Sequence, residues 1–216
     1  MPIRSIVVLS HTQIAFLDLL GKTDDILGVN ASNYLPHPVL QEKIRQDKVS
    51  DVGDGPQLNH ELVLAINPDL VMAVGFSSLG LKDYQPVIAA GIPVVINSDW
   101  LENTPLGRSE WLKFMALFYN EEQQAEEKFQ KIEQNYQRIK NIARKAPSQP
   151  TVFNGLPYKD TWYVAAGESY LAWLIKDAQA QYLWSDHLGT GSLPLDFEAV
   201  YAKAYRADYW INLDSD

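Results

Sequence analysis

The sequence predicts an α/β protein of two Rossmann-like lobes with parallel sheets joined by one long α-helix. Three observations predict it. Short apolar runs alternate with helical segments. Residues 121–145 keep their apolar side chains on one helical face without a Pro or Gly. A cap–helix–strand pattern then recurs on both sides of that stretch. Strands alternating with helices imply parallel pairing, with helices covering both faces of the sheet.

In order along the chain, Ser5-Ile6-Val7-Val8-Leu9 is a continuous apolar run, as a strand buried on both faces requires. Ser10-His11-Thr12 is a loop, and Ile14, Leu17 and Leu20 mark a helix ending at Gly21. Ile26 to Val29 is the second strand, and Asn30 to Pro38 reads as loop. Asn59 is an N-cap whose side chain can accept from the first turn; the helix runs to Ile66 and Pro68 marks its exit. Leu70 to Val74 is a strand, Gly75-Phe76-Ser77 a loop, and Gly91 to Ile96 a turn into a further strand. Residues 108–118 form a helix that breaks at Asn120. Ala125, Phe129, Ile132, Tyr136, Ile139 and Ile142 then repeat every three or four residues, as one amphipathic helix does. Thr151-Val152-Phe153 opens a second series: a loop over 154–160, a strand at Trp162-Tyr163-Val164, a helix over 172–178, and a helix exit and strand from Tyr205. The expected domains are an N-terminal lobe (1–106), a helical linker (107–146) and a C-terminal lobe (147–216).

Composition narrows the functional classes. The net charge is −9, which argues against nucleic acid and anionic membrane surfaces as partners. There are no cysteines, so disulfides and thiolate metal sites are excluded. No apolar run is long enough to cross a bilayer, and Met1-Pro2-Ile3-Arg4 enters a strand without a signal-peptide pattern. Catalytic motifs are lacking: Gly75-Phe76-Ser77-Ser78-Leu79 fails as a nucleophile elbow at its last position, and no Gly-rich phosphate loop is present. The sequence calls for no cofactor.

The repeat places Leu58-Asn59-His60-Glu61, leading to Asn67-Pro68-Asp69-Leu70-Val71, beside Leu195-Asp196-Phe197-Glu198, leading to Arg206-Ala207-Asp208-Tyr209-Trp210. Each half gives a cap, a glutamate two residues later, a helix, then an aspartate just before a strand. A single acid in a first helical turn is common for dipole reasons alone. The shared order is the stronger signal.

With Val7-Val8-Leu9-Ser10, Asp51-Val52-Gly53, Gly91-Ile92-Pro93-Val94-Val95, Glu102 to Trp111 and Trp162 to Gly167 in the same order, the chain resembles the helix-bridged, class III substrate-binding proteins of bacterial ABC importers for ferric siderophores, haem and vitamin B12. The resemblance covers essentially the whole chain. It implies a binding component, not an enzyme, that holds an iron complex or corrinoid in a shallow cleft between its lobes. It also implies a glutamate on each lobe that docks onto the membrane permease, and Glu61 and Glu198 match those positions. The implied location is the periplasm or the cell surface as a lipoprotein, peripheral to the membrane, with the export signal absent from this sequence. Family members continue beyond Tyr209-Trp210-Ile211, so the second lobe is expected to be incomplete.

Ligand contacts are expected in loops at strand carboxyl ends, where open α/β sheets bind. The candidates are Ser10, His11, Tyr34, Phe76, Trp100 and Arg108, with Tyr158 and Trp162 from the second lobe. Aromatic walls suit a large, flat or greasy ligand, although each ring serves equally well as lobe packing. Arg108 can pair with a ligand carboxylate or with the neighbouring Glu110. The alternatives are direct zinc or manganese capture, for which His11, His37, His60 and His187 are scattered, and an α/β enzyme with an unrecognised site.

Overall fold

The computed structural model describes residues 1–53, 57–75 and 80–211. The chain packs as two compact units, 1–99 with 111–128 and 100–110 with 129–216. It passes from one to the other after Asp99 and again inside two helices, α5 (Pro105–Ala116) and α6 (Glu122–Ala143). α6 is unbroken, as its apolar spacing predicts, and Asn120 before it adopts the left-handed conformation that ends the preceding turn.

The first unit is one parallel sheet with helices on both faces. Its strands are β1 (Ile6–Val8), β2 (Ile26–Val29), β3 (Ser50–Asp51), β4 (Leu70–Val74) and β5 (Val94–Asn97), in the order β3-β2-β1-β4-β5. Pleat alternation sends Ile6, Val8 and Met72 into one core with Leu17 of α1 (His11–Leu20) and with Leu112 and Met115 of α5. Val7, Val71 and Ala73 face a second core with Val63 of α3 (His60–Ile66) and Val87 of α4 (Gln85–Ala89). Two buried faces explain why these strands read as continuous apolar runs rather than alternating ones. Leu112 is fully buried, so Leu112→Ala is expected to cost about 2–5 kcal/mol in urea unfolding.

The second unit holds a parallel sheet and an antiparallel one. β6 (Thr151–Asn154) lies between β9 (Gln181–Tyr182) and β11 (Tyr209–Ile211), all parallel. β7 (Pro157–Tyr158), β8 (Thr161–Ala165) and β10 (Ser192–Leu195) form the antiparallel sheet, in the order β10-β8-β7. The expected parallel sheet is thus joined by an antiparallel one, and the span 154–160, expected as a loop, carries β7. The hairpin forms because Gly155, at φ +91°, lets the chain double back where any Cβ would sit 2.0 Å from the Tyr163 carbonyl oxygen. α2 (Pro38–Arg45) likewise starts where a loop was expected, with Pro38 in its first turn and His37 capping it. α7 (Tyr170–Asp177) and α8 (Phe197–Ala204) pack on the parallel and antiparallel strands through Leu171, Ile175, Val200 and Ala204.

The sequence repeat has a structural cause in both units. Asn59 and Asp196 are the caps: Leu62 N–H donates to Asn59 at 3.0 Å and Ala199 N–H to Asp196 at 2.6 Å. The repeat aspartates tie each strand to its parallel neighbour. Asp69 accepts from Arg4 N–H at 2.7 Å and Ser5 N–H at 3.1 Å, while its own N–H donates to Ser5 Oγ at 2.9 Å. Asp208 repeats the device at β11: Thr151 N–H and Oγ1 donate to its carboxylate at 2.7 and 2.8 Å, and Asp208 N–H donates to Thr151 Oγ1 at 3.0 Å. These bonds hold both carboxyls below the ordinary value of 3.8, mainly through Arg4 N–H for Asp69 and Thr151 N–H for Asp208. A folded value below the unfolded one means stabilisation complete above pH 3.8 and lost as pH falls through the folded value. Asp69→Asn with Asp208→Asn is therefore expected to flatten the acid limb of a stability-versus-pH curve measured by urea midpoint. A limb as steep as in the unsubstituted chain would assign the acid sensitivity to other carboxylates.

Candidate ligand-binding loops and docking carboxylates

All five strands of the first unit run the same way, so their following loops share one edge. Ser10 caps α1 there, with its Oγ 2.8 Å from Thr12 Oγ1 and 3.3 Å from Thr12 N. His11 begins the helix half-buried. After β2, Ala31 takes a left-handed φ of 48° and starts a short turn over Ser32–Tyr34 that leaves the Tyr34 ring 78% exposed. Asp51, at the end of β3, holds that turn by accepting from Ser32 N–H and Oγ and from Gly53 N–H. Burial alone would raise this carboxyl, but the bonds from Ser32 and Gly53 together hold it below the usual range. Phe76 lies outside the described residues.

Unpartnered polar atoms gather at this edge. His11 Nε2, Asn30 Oδ1, Asn97 Nδ2 and Asp99 Oδ2 are buried with no protein hydrogen-bond partner among the described residues. Buried polar atoms are ordinarily satisfied, so such a group marks a place where water or a ligand completes the bonding. Of the four, the sequence singles out His11 and, in the loop Asp99-Trp100, Asp99. Asn30 follows β2, Asn97 ends β5 and Asp99 follows it, and strand order is what brings them to one edge.

In the second unit, Arg108 fixes the chain that follows β5. Its Nη2 donates to the carbonyls of Trp100 and Glu102, each at 3.1 Å, and its guanidinium lies 4.2 Å from the Tyr170 ring centroid. These contacts make it a brace for the loop that presents the Trp100 ring, which is 42% exposed. Tyr158 is 65% exposed at the β7–β8 hairpin. Trp162 is different: it is 7% exposed, donates from Nε1 to the Asn154 carbonyl at 3.2 Å, and packs among Phe153, Phe197 and Trp210.

Glu61 and Glu198 are both exposed, each in the first turn of its helix, and neither makes a hydrogen bond or ion pair among the described residues. Glu198 borders a cleft of about 240 Å³ lined by Pro157, Lys159, Asp160, Thr161, Trp162 and Phe197.

The profile of the family described as periplasmic binding protein matches residues 6–215. Among curated proteins, an uncharacterized lipoprotein of Methanocaldococcus jannaschii is 29% identical over 97% of this chain and 52% of its own length. The chain thus spans about half the length of that relative. Among solved structures, a possible iron-binding, periplasmic solute-binding protein of Staphylococcus epidermidis has the same fold, with a TM-score of 0.78 at 20% identity over 100% of this chain and 79% of that one. The apo form of a periplasmic heme-binding protein from Roseiflexus sp. RS-1 matches at a TM-score of 0.76 and 24% identity, over 98% of this chain and 76% of that one. These are binding proteins rather than enzymes, and the match takes in both compact units: the chain belongs to the periplasmic binding protein family.

Proposed function

We propose that this chain captures an iron complex (a ferric siderophore or haem) or a cobalamin-type corrinoid, and delivers it to the permease of an ABC importer. Membership of the binding-protein family over nearly its whole length carries the reading. The exposed rings of Tyr34, Trp100 and Tyr158 support a ligand with broad apolar faces. Ser10, His11 and the unpartnered atoms of Asn30, Asn97 and Asp99 supply polar contacts, while Arg108 and Trp162 hold the loops in place. Glu61 and Glu198 are the permease-docking carboxylates in this reading, and the protein works at the outer face of the membrane, in the periplasm or as a lipoprotein.

The test is tryptophan fluorescence and native mass spectrometry with haemin, a ferric hydroxamate, a ferric catecholate, cobalamin, zinc and manganese. One of the first four is expected to quench the fluorescence saturably at one ligand per chain, with a Kd of roughly micromolar or tighter. Tyr34→Ala and Tyr158→Ala should each weaken that ligand by about three- to tenfold, the usual worth of one aromatic contact. Tight zinc or manganese binding with no response to the other four would establish the bare-metal alternative and overturn this reading.

A further inference from the structure

Charge is segregated between the two edges of the first sheet. Among the described residues, the stretches that follow β1, β2, β3 and β5 carry no lysine or arginine before the next α-helix begins. In the stretch after β4, Lys82 is followed at once by Asp83. Two further carboxylates stand at this carboxyl edge. Asp51 pays a desolvation cost, yet the bonds from Ser32 and Gly53 hold its carboxyl below the usual range. Asp99 is 1% exposed, and its Oδ2 has no protein partner among the described residues. The cations Arg4, Lys22, Lys43, Arg45 and Lys48 all come before β1, β2 or β3, on the side of the opposite edge. Helix amino ends also point to a carboxyl edge and ordinarily offer an anion free N–H groups. Here they are closed from within the chain. Thr12 N–H donates to Ser10 Oγ at 3.3 Å, Leu40 N–H to His37 Nδ1 at 3.3 Å and Leu62 N–H to Asn59 Oδ1 at 3.0 Å. An acidic ligand therefore meets carboxylates and capped helix ends at this edge.

The unpartnered atoms indicate what a ligand must present instead. Asn30 Oδ1 and Asp99 Oδ2 accept hydrogen bonds and Asn97 Nδ2 donates them, with Asn97 and Asp99 only 0% and 1% exposed. Carboxylates and phenolates bring acceptors alone, whereas carboxamides bring N–H and C=O together. We propose that the first unit selects a metal complex without net negative charge and with amides on its rim, an amide-bearing ferric hydroxamate or an amidated corrinoid. Ferric catecholates and the propionates of haem are disfavoured at the same edge. The inference rests on the capture reading above and narrows its ligand class by charge.

The experiment titrates two series of compounds, each built on one metal shell, into the protein carrying this chain and follows tryptophan fluorescence. The iron series is ferrioxamine B with its free amine, its N-acetyl form and its N-succinyl form, which run from positive through neutral to negative. The cobalt series is cyanocobalamin and its monocarboxylic acids, in which one amide becomes a carboxylate. In whichever series binds, the negative member is expected to bind roughly tenfold more weakly than its parent at low salt, and added salt should narrow the gap. Asp99→Asn, nearly isosteric, should shrink that gap several-fold. A succinyl form or a carboxylic acid that binds as well as its parent would overturn the proposal, as would a gap that Asp99→Asn leaves intact. Haemin or a ferric tris-catecholate binding more tightly than both series would overturn it too, while leaving the capture reading standing. Silence from every compound would overturn the capture reading itself, and the proposal with it.

Discussion

Trp162→Ala is expected to lower stability in urea unfolding by about 3–5 kcal/mol. The ring is 7% exposed although it stands on a sheet of only three strands. Four things hold it there. The β8 backbone at this position pairs with Pro157 on one side and Leu195 on the other. Phe153 and Trp210 lie 6.3 and 5.5 Å away between centroids, and Phe197 covers the ring from α8. The indole N–H satisfies the carbonyl of Asn154, the last residue of β6, so the side chain ties the antiparallel sheet to the parallel one. Truncation to alanine therefore leaves a cavity, orphans that carbonyl and uncouples the two sheets. Trp162→Phe keeps an aromatic ring in the cluster and loses only the hydrogen bond and some area, so its cost should fall to about 1–2 kcal/mol. An alanine variant less than about 1 kcal/mol below the parent would show that the second unit is not organised around this ring.

Four strands of the first unit, β1, β2, β4 and β5, are legible in the sequence as apolar runs, whereas the two-residue, largely exposed β3 and the helices α2 and α4 are not. A run such as Ile6-Val7-Val8 has no polar residue to confuse the period, and Gly21, Asn59 and Pro68 mark helix ends by backbone rules. α6 is legible for the same kind of reason, a single period kept over many turns. The second unit is legible only in part. β7 and β9 are two residues long, and β10 alternates exposed and half-buried side chains around Pro194, too short a signal to separate from loop. Only pairing with β8 makes that segment a strand, and pairing partners distant in sequence are not written locally.

The site divides in the same way. The repeat glutamates are visible because they sit at fixed offsets from caps. The repeat aspartates are visible as well, but the reason for them is not: each serves a Ser or Thr on another strand or at its start, Ser5 or Thr151. For Arg108 the sequence offers side-chain partners, a ligand carboxylate or Glu110. The structure gives it backbone carbonyls, at Trp100 and Glu102, which no side-chain pattern can announce.

Glu61→Arg combined with Glu198→Arg is expected to cut transport by roughly a hundredfold or more when the protein carrying this chain is expressed with its transporter. Each glutamate follows a cap that is formed, Asn59 or Asp196, so its backbone is fixed while its carboxylate remains in water. An exposed first-turn acid contributes only about 0.3–1 kcal/mol through the helix dipole, and folding should register the substitutions at that level. Ligand affinity in solution should be unchanged, because both carboxylates are exposed on first helical turns and neither is among the candidate ligand contacts. What changes is the encounter with the permease. Two attractive charge pairs become two repulsions, and like charges at an interface slow association as well as weaken the complex. Each single reversal should therefore cost less than the double one, and raising the ionic strength should narrow the difference between them. Uptake measured beside equilibrium ligand binding separates this role from a fault in capture. If the double reversal leaves uptake intact, Glu61 and Glu198 are acids that merely suit the start of a helix.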